Sequence, residues 1–145
     1  MTPDEADAVL AALQVHAVGW RTEVSPARLF FGVPISLDVT TREVPEVGAP
    51  PAMDDREREL ALRALMNLPS ILLTAERVFL DYMNRKGDAD ALRHIQDPHI
   101  WISRESLEES SPAGWTFVVE FSDATDYGCH IEFDGIEYQG IWAGD

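Results

Sequence analysis

The chain has 145 residues, enough for one domain that buries roughly two-thirds of the surface its unfolded form exposes. Its apolar fraction of 46% argues against disorder, no apolar run approaches the ~20 residues of a membrane helix, and the acidic residues 1–7 lack the basic-then-apolar shape of a secretion signal. Twenty-six acids against eleven bases, ten of them arginine, give a formal charge of −15, a field that repels nucleic acid phosphates and anionic membranes and draws in cationic partners. Cys129 is the only cysteine, so no internal disulfide forms and a reducing, cytoplasmic setting is expected.

Thr2-Pro3-Asp4-Glu5 carries an N-cap, a proline in the first turn and an acid three residues after the cap. This predicts a helix of about ten residues through Leu13, with Val9, Leu10 and Leu13 inward. Residues 20–24 read as a short strand and Ser25-Pro26 as a turn; Ile35, Leu37 and Val39 then alternate with polar residues. Residues 20–40 are thus an N-terminal hairpin, and Pro34 puts its second strand at a sheet edge or at its own start. Residues 42–52, with Pro45, Pro50 and Pro51, form a loop too short to separate domains.

Asp54 and Glu57 mark a second helix start, and the helix runs through Leu60, Leu62, Ala64 and Leu65. Pro69 disfavours helical geometry at Leu68, and a further helix begins near Ser70. There Ile71, Leu72, Ala75, Val78, Phe79, Tyr82 and Met83 keep the i, i+3, i+4, i+7 spacing, and Gly87 is a natural C-cap. A single helix over residues 55–86 would be about 48 Å long, so Pro69 marks a break. Residues 88–96 supply a helical turn or two with Leu92 and Ile95 inward, residues 98–103 another strand, and residues 105–114 a polar loop.

The last thirty residues read as a three-stranded antiparallel meander. Trp115, Phe117, Val119 and Phe121 share one face by the period-2 rule, as do Tyr127, Cys129, Ile131 and Phe133. A five-residue polar loop, residues 122–126, joins the two strands. Asp134-Gly135 stands between two strand-like runs and predicts a type I′ hairpin, with Phe133 opposite Ile136, Ile131 opposite Tyr138, Cys129 opposite Gly140 and Tyr127 opposite Trp142. The aromatic face is the natural partner for the stripe of residues 71–83. In that register Glu132 lies across from Glu137, a repulsive pair that is either simply solvated or kept because something basic docks there.

Common chemical motifs are absent: no Walker loop, G-x-G-x-x-G, H-E-x-x-H, G-x-S-x-G or C-x-x-C occurs. His16, His94, His99 and His130 are scattered; His99 and His130 sit on predicted strands with Asp123 or Asp126 near, but the spacing sets no metal site, and structural or surface histidines are expected. The stretch Asp123-Ala-Thr-Asp126-Tyr-Gly128 lacks the alternation of a calcium loop and reads as a turn. Cys129 points into the apolar face and is a core thiol rather than a nucleophile, and the four tryptophans are core or rim aromatics. Glu120, Glu132 and Glu137 offer carboxylates for acid–base chemistry, but no cleft is implied.

Three stretches together carry a resemblance: Trp20-x-Thr-x-Val24, Phe31-Gly32-x-Pro34-x-x-Leu37-x-Val39, and, after a helical pair with Phe79 and Tyr82, Asp126-Tyr-Gly128-x-x-Ile131-x-Phe133-Asp-Gly135. In this order of elements the chain is similar to a class of small bacterial α+β domains of unknown function. The resemblance implies an antiparallel sheet with helices on one face and implies no reaction. Size and acidity also resemble bacterial immunity proteins, which neutralise basic toxins by covering them.

The expected fold is therefore α+β: one domain over residues 1–145, with an antiparallel sheet of about five to six strands and two central helices on one face. The expected function is that of a non-enzymatic cytoplasmic binding protein whose acidic surface engages a basic protein, with toxin neutralisation as the concrete version. Its partner-binding residues are Glu120, His130, Glu132, Glu137 and Gln139; no cofactor, metal, nucleic acid or membrane is called for. The rival reading is a small enzyme using carboxylates with His130 or His99 in a pocket that the sequence does not reveal.

Overall fold

The computed structural model describes residues 1–16, 18–41, 52–104, 107 and 113–144. The proline-rich loop expected at 42–52 and the polar loop at 105–114 fall almost wholly outside these. Helix α1 (Pro3–Ala11) opens with the expected capping box, in which Thr2 and Glu5 satisfy each other's backbone N–H groups. Two short strands follow, β1 (Gln14–His16) and β2 (Gly19–Glu23). A small separate ribbon of β3 (Leu29–Phe30) and β4 (Val33–Pro34) leads into β5 (Ser36–Thr40).

The hairpin expected at 20–40 forms as β2 against β5, Trp20 facing Val39 and Thr22 facing Leu37. Pro34 belongs to the ribbon just ahead of β5, so of the two places it suggested it marks the strand's start and not a sheet edge; β5 lies inside the sheet.

Helix α2 (Asp55–Met66) starts on a second capping box between Asp54 and Glu57. The chain breaks at Asn67, and α3 (Leu68–Arg85) resumes with Pro69 in its first turn, where the missing N–H costs nothing. At its far end Gly87 has φ +71°. There the Asp88 N–H reaches Met83 O at 2.9 Å and the Gly87 N–H reaches Asn84 O at 3.1 Å, a Schellman closure that needs glycine's left-handed backbone. A 3-10 turn (Ala89–His94) then delivers β6 (Ile95–Ser103).

Because α2 and α3 intervene between β5 and β6, the two strands are joined by a crossover and pair in parallel. The chain closes with β7 (Gly114–Phe121), β8 (Ala124–Asp134) and β9 (Glu137–Gly144), all antiparallel. The sheet thus has seven strands in the order β1-β2-β5-β6-β7-β8-β9, against the five to six expected, with one parallel pair in its middle. The helical layer also holds more than the expected pair, since α1 packs on α2 and contributes Ala6, Val9 and Leu10 to the core.

Alternation sets one face of this sheet against the helices. Leu37, Ile100, Phe117 and Ile131 lie side by side on β5 to β8 and are fully buried, and Ile141 extends the row on β9. Trp115 stacks on Phe133 at 4.6 Å and donates its indole N–H to Gly135 O at 2.7 Å. The aromatic face of the meander is therefore the core face, as expected, except that Tyr138 at the β9 edge and Tyr127 at the start of β8 each stay 38% exposed, Tyr127 at a cleft on the opposite face. Beneath the helices, Glu57 is wholly buried and accepts from the Arg104 guanidinium, which pins α2 to the end of β6. Among the described residues no helix is long and apolar enough to cross a membrane.

The expected register of the last hairpin does not hold. Only Gly135 of the turn has positive φ, so the loop is Gly135-Ile136 in the II′ manner rather than Asp134-Gly135. A bulge then inserts Gln139 between the pairs Phe133–Tyr138 and Glu132–Gly140. Glu132 therefore faces Gly140, not Glu137; Ile131 faces Ile141, not Tyr138; Cys129 faces Ala143; and Trp142 faces His130 on the opposite side from the core. The β7–β8 connection also differs: Ser122-Asp123 is a two-residue turn, and Thr125, Asp126 and Tyr127 bulge out before Gly128 rejoins Glu120.

The two faces make opposite demands on substitution. Phe117→Ala removes a fully buried ring and is expected to cost about 3–5 kcal/mol. Trp142→Ala, on the outer face, is expected to cost less than ~1 kcal/mol, both read from urea unfolding. Comparable costs at the two positions would contradict this assignment of faces.

Candidate functional site

The face turned away from the helices carries two neighbouring rows of side chains. One row runs Arg21, Asp38, Trp101, Thr116 and Glu132 across β2, β5, β6, β7 and β8. The next runs Ser36, His99, Val118, His130 and Trp142 from β5 to β9. His99 and His130 thus come to one row with Val118 between them, roughly 10 Å apart at two strand spacings.

A bulge in β6 completes the site. Gln96 faces Glu120 and His99 faces Val118, so one extra residue is accommodated between them. Asp97 takes the left-handed backbone, φ +47°, uncommon for any residue but glycine and most tolerable for Asp and Asn. Bulges commonly re-aim a side chain beside a site, and this one brings the Asp97 carboxylate to those of its neighbours. Arg21 Nη1 donates to Asp38 Oδ2 at 3.0 Å and Nη2 donates to Asp97 Oδ1. On the far side, Trp101 donates its indole N–H to Thr40 Oγ1 at 2.9 Å, next to Asp38.

Together these residues floor an open cleft of about 440 Å³, with Thr125, Asp126 and Tyr127 of the β8 bulge and Gly144 of β9 at its rim. Its lining sets Asp38, Asp97, Glu120 and Asp126 against the single arginine Arg21. Burial, then the hydrogen bond and charge of Asp97, push the Glu120 carboxyl up to about 7, only partly opposed by Arg21.

His99 is 8% exposed, and burial moves its pKa down; the Asp97 carbonyl and carboxylate oppose that shift. Its Nδ1 lies 2.7 Å from Asp97 O; a carbonyl only accepts, so Nδ1 carries the hydrogen and Nε2 the lone pair. His130 stacks on Trp142 at 4.0 Å and is likewise shifted down by burial, with Gly144 and Glu132 pulling the other way. Trp142 also donates to Glu132 Oε1 at 3.1 Å, which fixes the indole over the imidazole.

Of the residues expected to bind a partner, Glu120, His130 and Glu132 come together on this outer face. Glu137 lies on the same side but beside the turn, opposite Asp134 rather than Glu132, and Gln139 lies in the bulge of β9; both are exposed. Asp126 reaches the cleft, whereas Asp123 sits 3.7 Å from His94, away from His99 and His130. Cys129 is buried and its thiol is pushed up to about 12 by burial, as a core cysteine should be. Arg21, Asp38, Asp97 and Trp101 were not anticipated. The Asp97-Pro98 pair inside a strand was the available signal, since proline interrupts a ladder and marks bulges.

A comparison with protein-family models, with curated proteins and with solved structures yields no match to this chain.

The Glu120 environment carries a pH dependence with a definite sign. Its carboxyl rises from 4.5 to about 7 on folding, so its contribution favours the fold below 4.5 and is lost as pH rises through about 7. Glu120→Gln keeps a hydrogen bond to Asp97 but removes the titration. The variant is expected to gain stability relative to the parent chain between pH 4.5 and pH 8, measured as the difference in urea midpoints. A difference that stays constant over that range would contradict the raised Glu120 carboxyl.

Proposed function

We propose that the chain is a non-enzymatic binding protein whose concave, acid-lined sheet face engages a basic protein, in its concrete form a toxin neutralised by being covered. The observation that carries this reading is the outer face itself. It is open, it lies opposite the helices, and it gathers Asp38, Asp97, Glu120 and Asp126 around one arginine in a chain of formal charge −15. Such a face attracts a cationic partner at long range and offers aromatic surface at short range, Trp101 in the cleft and Trp142 beside it. The docking residues under this reading are Glu120, His130 and Glu132, joined by Asp97 and Asp126; Glu137 and Gln139 sit apart from them.

A specific observation also favours the rival reading of a small enzyme. Glu120, its carboxyl pushed up to about 7 by burial and by Asp97, stands with Asp97 beside the buried His99 in an open cleft, which is what general acid–base catalysis requires of its groups. The two readings separate by substitution. An enzyme loses turnover with Glu120→Gln and keeps it when exposed rim acids are neutralised; a docking face loses affinity when those rim acids are neutralised.

The test co-expresses the chain with the basic proteins encoded beside it and follows complex formation by calorimetry in about 50 mM and about 500 mM salt. A complex that weakens severalfold as salt rises, and weakens again when Asp126→Asn and Glu132→Gln are combined, is the expected outcome. Binding that ignores both salt and the rim substitutions, or maps to the helical layer, would overturn the reading.

A further inference from the structure

Asp97, His99 and Glu120 each present one ligand atom, and the three atoms lie within 4.8 Å of one another. Donors around a single zinc-sized ion sit about 3–4 Å apart at bond lengths near 2.0–2.2 Å, so a small side-chain adjustment closes the set. This grouping differs from a patch of surface acids in two respects.

First, it contains an imidazole that is almost fully buried and already oriented. His99 gives its Nδ1 hydrogen to the Asp97 carbonyl, leaving the Nε2 lone pair, and a ligating histidine is commonly held in this way by a backbone carbonyl. Second, the oxygens of Asp97 have separate partners. Oδ1 accepts from Arg21, while Oδ2 lies 3.6 Å from His99 Nδ1, on the edge of the ring that the Asp97 carbonyl holds. A carboxylate whose outer oxygen is held by a guanidinium is oriented in the manner of supported metal ligands.

We propose that Asp97, His99 and Glu120 bind one divalent transition-metal ion of the zinc class on the floor of the cleft, with its remaining coordination positions open to the cleft. One nitrogen and two carboxylate donors suit such an ion. Calcium and magnesium prefer sets made wholly of oxygen, and copper(I) prefers sulfur. The site shares Asp97 and Glu120 with the docking face but does not rest on that reading, and the acids Asp126 and Glu132 stay outside it. Arg21 beside Asp97 reduces the negative charge offered to the ion, so affinity falls below that of four-ligand structural zinc sites.

The experiment titrates zinc chloride into the whole chain by calorimetry and repeats the titration with cobalt(II), read by its visible absorption. One ion per chain is expected, with His99→Ala and Glu120→Gln each weakening it by about 100-fold. Far-UV circular dichroism reports whether each variant folds, and the near-isosteric Glu120→Gln keeps the test decisive should His99→Ala unfold. His94→Ala serves as the control. His94 belongs to a separate surface grouping, 3.5 Å from Asp90 and 3.7 Å from Asp123, and its loss is expected to leave binding unchanged. No stoichiometric ion, an affinity untouched in folded His99→Ala or Glu120→Gln, or binding lost with His94→Ala instead would each overturn the proposal.

Discussion

Leu37, Ile100, Phe117 and Ile131 sit shoulder to shoulder on four adjacent strands, fully buried against the helical layer, and no strand can shift by one residue without turning its apolar set to water. That burial fixes the phase of every strand. It therefore also decides what points the other way: Asp38, Trp101 and Thr116 in one row, His99, Val118 and His130 in the next. The outer face is a by-product of the core in its placement, though not in its chemistry. A solvated face needs only mixed polar residues, whereas this one concentrates carboxylates, imidazoles and indoles above a cleft.

Local departures from the ladder then shape that cleft. The extra residue in β6 brings Asp97 toward Glu120 and Arg21; the three-residue bulge at the start of β8 raises Thr125, Asp126 and Tyr127 at the rim; and the insertion of Gln139 in β9 swings Trp142 across to stack on His130. Each lies beside the cleft or alters what lines and borders it. A half-buried Glu120 carboxyl with an elevated proton affinity is costly to ionise, and the fold keeps it where solvent and a ligand both have access.

Much of this architecture is legible in the chain. The two capping boxes, the break at Pro69, the glycine closure at Gly87 and the alternation of Trp115, Phe117, Val119 and Phe121 are local patterns, and local patterns survive folding. The parallel pairing of β5 with β6 follows from the helices between them, but it appears only once strands and helices are considered together. The bulges explain the rest. One extra residue leaves the period-2 pattern intact on either side of itself while reversing the face beyond it, so Trp142 and Ile141 exchange sides relative to a regular hairpin. Glu120, His130 and Glu132 were identifiable as a face because they precede that insertion; Glu137 keeps that face but lies opposite Asp134 rather than Glu132, and Gln139 falls in the insertion itself. Asp97 left only the Asp97-Pro98 pair as a trace, because its position depends on a backbone twist rather than on spacing.

The register of the final hairpin therefore bears the most weight, because it fixes both the inner row and the outer cleft. Nuclear Overhauser contacts measured on the isotopically labelled chain report it directly. The bulged register predicts contacts between the Trp142 indole and the His130 ring, and between the Ile131 and Ile141 backbones. Contacts pairing Ile131 with Tyr138 and Tyr127 with Trp142 would restore the unbulged hairpin and contradict the site.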